Sequence, residues 1–254
     1  MKPQSKIHCL FHLMVIIAAL SFGQAAQAVP VAPGDTVLLS GTSAAENPDL
    51  AGVVVRDTLI PFQVRDRLRN VLIEGMLQDR VVRSDNTGKL IFAPRLRDLS
   101  MPIGAGTAWI VGLRADGYSG VLTDIDFSLT GLGDVGPNSV SRSSGSGDQL
   151  FFLYDPNLIV PPDEGRFLLS VTNASEFDTS GTVTIAAQND FGAEVFSTTL
   201  SNTAAPVAPP VATKPPELKV LHFAGALDAT GKKQITFAGA KQRIDVLIQV
   251  FTTL

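Results

Sequence analysis

Few residues in this chain could carry catalytic or metal chemistry. The 254 residues include one cysteine and three histidines. Cys9, His8 and His12 lie within the first 28 residues, so His222 is the one residue of either type beyond them. A thiolate nucleophile, a disulfide or a zinc–thiolate site needs cysteines, and a histidine base would have to be His222. Because His222 lies in an apparent strand, we interpret it as a packed structural residue and expect no enzymatic activity.

Two aspartates have the spacing of a weak metal site. Asp124 and Asp126 alternate with apolar residues, which places both carboxylates on one side of a strand. Carboxylate oxygens are calcium ligands, and further acids lie in neighbouring turns. The alternative is a solvent-facing strand surface, because the full loop pattern of a helix–loop–helix calcium site is absent from the sequence. We therefore expect no cofactor, with calcium at Asp124 and Asp126 as the alternative.

Two groups of residues are candidates for ligand binding. Trp109 and Tyr118 could stack on sugar rings, since aromatic side chains with a polar group suit such contacts. Arg65, Arg67 and Arg69 would share one face if they lie on a strand, and that face could bind an anionic polymer. A solvated face balanced by nearby acids is the alternative for the arginines. Nucleic acid is not an expected partner, because the formal net charge is −4.

The first 28 residues have the parts of a secretory signal peptide. Lys2 and Lys6 form a basic segment, and residues 10–20 are apolar apart from one histidine. A small-residue cleavage site follows at Ala26 and Ala28. The apolar run is too short to span a membrane, which takes about 20 residues. We expect a mature chain without a membrane span, exported to the periplasm, the cell surface or the extracellular space.

The rest of the chain predicts an all-β fold. Apolar and polar residues alternate with period two in many short segments, for example at residues 123–129 and 167–171. This pattern, with turn residues between the segments, is typical of an antiparallel β-sandwich of jelly-roll or immunoglobulin-like type. Residues 64–82 also fit a helical stripe, but Gly75 and the turn signal that follows at residues 85–88 favour a strand.

Composition divides the chain into four parts. Residues 1–28 are the expected signal peptide, and residues 29–202 are the expected β-sandwich domain. Residues 203–216 contain five prolines, which predicts a semi-rigid linker. Residues 217–254 again alternate apolar and polar residues, which predicts a small β-rich C-terminal extension.

A series of short motifs resembles a known bacterial family. In chain order the motifs are LIEG (72–75), RVVR (80–83), TGKLIF (87–92), TDID (123–126), SRS (141–143), LFF (150–152) and GRFLLSVTNA (165–174). Over residues 48–200 the series resembles the extracellular β-sandwich domains of PEP-CTERM exosortase-substrate proteins. The resemblance implies an exported protein of the cell surface or extracellular polymeric matrix, with no catalytic residues to transfer. The Pro-Glu-Pro motif, apolar helix and basic cluster of that family's sorting tail do not follow the proline-rich linker.

Together these patterns predict a non-enzymatic exported protein with a structural or adhesive role in the bacterial cell envelope or in the extracellular matrix of a biofilm. The expected partner is an envelope or matrix polysaccharide or protein. The alternative is a secreted carbohydrate-binding module whose ligand lies on a sheet face or on loops.

Overall fold

The computed structural model describes residues 28–102, 106–190 and 194–210. Ala26 of the expected cleavage site, residues 211–216 of the predicted linker and the predicted extension with His222 lie outside these ranges. Within them, no helix is long and apolar enough to cross a membrane. A short 3-10 helix, Pro48–Leu50, accompanies a set of β-strands. The strands are β1 (Val29–Pro30), β2 (Thr36–Leu38), β3 (Gly52–Arg65), β4 (Val71–Ser84), β5 (Leu90–Phe92), β6 (Arg95–Ser100), β7 (Ala108–Asp116), β8 (Thr123–Phe127), β9 (Ser139–Arg142), β10 (Gln149–Leu153), β11 (Leu168–Thr172), β12 (Phe177–Asn189) and β13 (Val195–Pro206).

The strands form two sheets that pack together. The seven-stranded sheet has the order β1-β8-β11-β5-β4-β3, and β6 pairs with β4. The six-stranded sheet has the order β13-β12-β7-β10-β9-β2. Every pair of neighbouring strands runs antiparallel. The all-β fold class and the antiparallel β-sandwich that the sequence predicts are confirmed.

The core lies between the two sheets and is filled by the period-two alternation of the sequence. In β10, Leu150 and Phe152 are buried, whereas Gln149 and Phe151 are half-buried. Burial of a large apolar side chain contributes about 1.5–3 kcal/mol, so such residues hold the sheets together. The largest fully buried side chains of this core are Tyr154, Phe92, Phe152, Ile73, Leu77, Leu90, Leu96, Ile110, Ile125, Leu150 and Ile159.

The segment 64–82, which also fits a helical stripe, belongs to the long hairpin of β3 and β4. Each of these strands has 14 residues. Asp66 holds the turn between them, because its carboxylate accepts hydrogen bonds of 2.8 Å from the backbone and side-chain amides of Asn70. The strand interpretation is confirmed, with a turn interrupting it at residues 66–70.

The predicted turn at residues 85–88 is also confirmed. It joins β4 to β5, and the two strands pair antiparallel. Gly88 has φ +67°, in the left-handed region, and its amide donates to Ser84 O at 2.9 Å. Glycine adopts this conformation without steric cost, which explains why the chain reverses here.

The last strand runs further than the sequence predicts. β13 ends at Pro206, and residues 203–206 are buried. The amide of Ala204 donates to Asp79 Oδ2 at 3.0 Å, which connects the end of this strand to the other sheet. The sandwich therefore includes the first four residues of the predicted linker 203–216, because small alanines fit the buried edge and Pro206 has no backbone donor to satisfy.

Arg142 in β9 fastens several segments through one buried guanidinium. The residue is 4 % exposed. Its nitrogens donate hydrogen bonds of 2.7–3.0 Å to the backbone oxygens of Val31, Tyr118, Val121 and Gly147 and to Thr123 Oγ1. A buried charge is tolerated when its donors are all satisfied, and here neutral oxygens satisfy them. Arg142 therefore holds the region of β1 and β8 against β9.

Candidate functional site

The outward side of the six-stranded sheet carries a continuous set of solvent-accessible side chains. In β7, Leu113 and Ala115 belong to the core, so Arg114 and Asp116 project outwards. We call this surface the outer face. It is formed by Trp109, Arg114 and Asp116 of β7, Gln149 and Phe151 of β10, Thr182 and Thr184 of β12, Thr199 of β13, Ser141 of β9 and Thr36 of β2.

One row of the outer face crosses all six strands. In sheet order its members are Thr199, Thr184, Arg114, Phe151, Ser141 and Thr36, each opposite the next. The hydroxyls of Thr184 and Thr199 form a hydrogen bond of 2.9 Å, and Arg114 donates to Thr184 Oγ1 at 3.3 Å. At the far end, the hydroxyls of Thr36 and Ser141 lie 2.8 Å apart. These contacts orient the polar groups of the row before any ligand arrives.

A second row makes the centre of the outer face electrically balanced. Thr182 donates to Asp116 Oδ2 at 2.6 Å, and Arg114 Nε lies 3.1 Å from Asp116 Oδ1. Gln149 stands opposite Asp116 on the neighbouring strand. The positive and the negative side chain at the centre therefore neutralise each other, and their polar neighbours in the two rows are hydroxyl and amide groups.

Two half-buried aromatic residues lie on the same face. Phe151 stands opposite Arg114, in the middle of the first row. Trp109 lies five residues before Arg114 on β7, about 16 Å along the strand at 3.3 Å per residue. Its indole nitrogen is buried and donates to no atom of the described residues. The sequence singles out Trp109 but gives no sign of Phe151, whose flanking apolar residues predict a strand buried on both sides.

This arrangement suits recognition of a long, neutral, hydroxyl-rich polymer. Six strands about 4.8 Å apart make the face about 24 Å wide. Aromatic rings provide apolar contact area for the carbon-bound hydrogens of sugar rings, and the hydroxyl and amide groups between them provide hydrogen bonds. Because the face is a surface rather than a deep pocket, it can follow an extended chain.

Tyr118 does not join Trp109, which corrects the sequence-based candidate. Its side chain is 2 % exposed and packs edge to face against Phe92, with ring centroids 5.9 Å apart. Burial raises the pKa of the Tyr118 hydroxyl well above its ordinary value. The loop after β7 turns this residue into the core, so its ring cannot stack on a ligand.

The three candidate arginines do not share a strand face, because the strand ends at the first of them. Arg65 is the last residue of β3 and donates to Arg69 O at 2.7 Å. Arg69 has φ +68° in the turn, and Arg67 pairs with Glu194 at 2.5 Å. The turn that Asp66 holds takes Arg67 and Arg69 off the strand, so the shared strand face on which the candidate rested is not formed.

The two candidate calcium ligands lie in different surroundings. Asp124 is exposed, whereas Asp126 is fully buried. Asp126 Oδ1 accepts hydrogen bonds of 2.8 Å from the amides of Gly41 and Phe127, because the segment around Gly41 covers this part of β8. Burial raises the pKa of both carboxyl groups. No group of three or more potential metal-ligating side chains occurs in the described ranges.

Comparison with known proteins gives no match to a protein-family model, to a curated protein or to a solved structure.

Proposed function

We propose that the protein is a non-enzymatic, exported adhesive protein of the bacterial cell envelope or extracellular matrix. The observation that carries this proposal is the outer face of the six-stranded sheet. It places Trp109 and Phe151 on one surface with a hydrogen-bonded row of hydroxyl groups. Such a surface supplies contact area and hydrogen bonds, and its charged pair, Arg114 and Asp116, is internally neutralised.

Adhesion to a polymer follows from the shape of this face. Each half-buried side chain offers a small contact, and a polymer chain engages many of them at once. Once one contact has formed, each later contact with the same polymer is intramolecular. Modest affinities of the individual contacts therefore give firm attachment. A broad face thus fits a matrix component better than a small soluble metabolite, which would need a cavity to bury most of its surface.

A carbohydrate-binding module is the second candidate, and Trp109 with Phe151 favours it. In that case the ligand is the polysaccharide itself, with sugar rings against the two aromatic side chains. The two candidates differ in whether a protein component of the matrix is needed for attachment.

Co-sedimentation of the exported chain with the producing cell's matrix tests both. We expect saturable binding that falls at least tenfold when Trp109→Ala and Phe151→Ala are combined. Leu122→Ala is the matched control, because Leu122 is 72 % exposed and lies on a loop away from the outer face. An equal loss in the control, or no loss in the double variant, contradicts the proposal.

Treatment of the matrix with protease separates the two candidates. Binding that persists on the remaining polysaccharide favours the carbohydrate-binding module. Binding that disappears favours adhesion to a matrix protein. If the chain does not bind matrix that has not been treated with protease, both candidates are contradicted.

A further inference from the structure

A cleft lies on the outward side of the other, seven-stranded sheet. Its volume is about 480 Å³, and it is open to solvent along β3, β4 and β6. Apolar walls come from Pro61 and Met76, and polar groups come from Gln63, Glu74 and Ser100. The outer face of the six-stranded sheet contributes no residue to this cleft.

Backbone geometry makes room for the cleft. The pairing of β4 with β6 shifts register between Glu74 and Met76, at Gly75. A Cβ on Gly75 would lie 2.5 Å from Leu99 Cδ2 and 3.0 Å from Arg97 O, so glycine is what allows β6 to approach β4 here. The close approach brings Ser100 beside Glu74 at the cleft wall.

Glu74 presents a carboxylate whose charge is not neutralised by an ion pair. Gln63 Nε2 donates to Glu74 Oε2 at 2.9 Å, and Ser100 Oγ lies 3.5 Å from Oε1. Both partners are neutral. Arg65 donates to Gln63 Oε1, on the far side of that amide. In the described part of the chain, no salt bridge involves Glu74, whereas the other acid of the cleft, Asp98, pairs with Arg97 at 2.9 Å.

We propose that this cleft binds an ammonium group carried on an alkyl stem. The half-buried carboxylate of Glu74 attracts the ammonium group, since a charge-assisted hydrogen bond is stronger than a neutral one. Pro61 and Met76 contact the methylene groups of the stem, as apolar surfaces do for the stems of long basic side chains. A lysine side chain and a free alkyl diamine share this chemistry.

The site gives the molecule a second binding surface. The cleft and the outer face belong to different sheets of the sandwich. A chain that holds a polymer on one sheet and an amine-bearing partner on the other connects the two. This inference goes beyond the proposed function and does not depend on what the outer face binds.

Calorimetric titration of the exported chain with 1,5-diaminopentane, and with the peptide acetyl-Gly-Lys-Gly-amide, tests the proposal. We expect saturable binding of at least one probe and none of 1,5-pentanediol, which has the same stem without charge. Binding of the diamine alone identifies a small amine as the ligand, and equal binding of the peptide identifies a lysine side chain.

Glu74→Gln is the deciding variant, because it removes the charge and keeps the side-chain shape. We expect at least a tenfold loss of affinity for the amine with an unchanged unfolding temperature. Glu176→Gln is the matched control, since Glu176 is exposed and lies outside the cleft. No saturable binding of either probe, or equal affinities in the two variants, would overturn the proposal.

Discussion

The outward sides of the two sheets differ in what covers them. On the seven-stranded sheet, Ile91, Ala93, Phe167 and Leu169 form a second buried apolar cluster, against which Leu50 packs. On the six-stranded sheet, the corresponding side bears hydroxyl groups, one neutralised ion pair and two half-buried aromatic residues. The first side is closed by its own chain around this cluster, and the second is open to a partner.

Two arginine side chains also pack over the outward side of the seven-stranded sheet. The guanidinium carbon of Arg80 lies 4.5 Å from the centre of the Phe167 ring, and that of Arg95 lies 5.4 Å from it. Arg95 also pairs with Glu164, and Arg80 pairs with Asp57 at 2.7 Å. Charges that could attract a polymer are thus used within the fold. The comparison teaches that the seven-stranded sheet uses its outward side around Phe167 for stability, whereas the outer face is free to serve binding.

The largest expected effect comes from Arg142, whose buried hydrogen bonds connect β9 of one sheet with the region of β1 and β8 of the other. Arg142→Ala removes all five side-chain hydrogen bonds of the buried guanidinium and leaves their acceptors unsatisfied. We expect a loss of about 4 kcal/mol in the free energy of unfolding, measured by denaturant titration. Arg83→Ala is the control, because Arg83 makes two exposed hydrogen bonds to backbone oxygens. A loss as small in the Arg142 variant as in the control would contradict the structural role.

A pair of phenylalanines separates the two sides directly. Phe167→Ala removes the aromatic ring from the buried apolar cluster. We expect this change to lower the free energy of unfolding by about 3 kcal/mol and to leave matrix binding intact. Phe151→Ala removes a half-buried ring, and we expect it to cost about 1 kcal/mol and weaken matrix binding severalfold. Chemical denaturation and co-sedimentation on both variants check this. If Phe167→Ala weakened matrix binding and Phe151→Ala cost more stability, the comparison would be contradicted.

A third prediction concerns Asp126, whose carboxyl group is buried on the outward side of the seven-stranded sheet. Burial raises the pKa of Asp126 in the folded chain, so the folded state keeps a proton that the unfolded state loses. Stability from this group is therefore present at acidic pH and falls as pH rises above the ordinary aspartate range. We expect Asp126→Asn to gain stability relative to the parent chain as pH rises from about 4 to 7.

Asp178→Asn supplies the opposite case for this pH series. Hydrogen bonds from Ser180 lower the pKa of Asp178, which makes its contribution appear as pH rises. The Asn variant is therefore expected to lose a little stability over the same pH range. Thermal unfolding at matched pH values measures both variants, and equal slopes for the two contradict the assignment.

Calcium gives the smallest expected effect. Asp126 already binds two backbone amides, and Asp124 stands alone at the surface. A calcium ion bound at a hundredfold excess over Kd would stabilise the fold by about 2.7 kcal/mol and raise Tm by several degrees. We expect Tm to stay the same within about one degree in calcium and in chelator. A rise of several degrees in calcium would restore the metal site that the sequence suggests.

Most of the fold could be predicted from the sequence, because it depends on local alternation and turn chemistry. The period-two pattern gave the strands, and the Asn-Thr-Gly of residues 86–88 gave the β4–β5 turn. The turn at residues 66–70 was not predicted, because it rests on a side-chain cap by Asp66 that resembles an ordinary charged residue in the sequence. That one turn is the reason why Arg65, Arg67 and Arg69 do not share a strand face.

The site could be predicted only in part, since it depends on which strands become neighbours. Trp109 stood out by its residue type. The other residues of the face, such as Arg114, Phe151 and Thr184, come from strands up to 70 residues apart and meet only through sheet register. Tyr118 was a plausible partner of Trp109 by type, and a single loop turned it into the core. The alternation of apolar and polar residues predicts which side of a strand a side chain occupies. It does not predict which other segments cover that side.

Footprinting of exposed side chains by hydroxyl radicals, with and without bound matrix, tests the central claim most directly. The chain is oxidised in both states, and the modified residues are read by mass spectrometry. We expect protection at Trp109 and Phe151 on the outer face. We expect none at Leu59, which is 50 % exposed on the seven-stranded sheet. Protection of Leu59 with no change at Trp109 and Phe151 would contradict the assignment of the outer face as the adhesive surface.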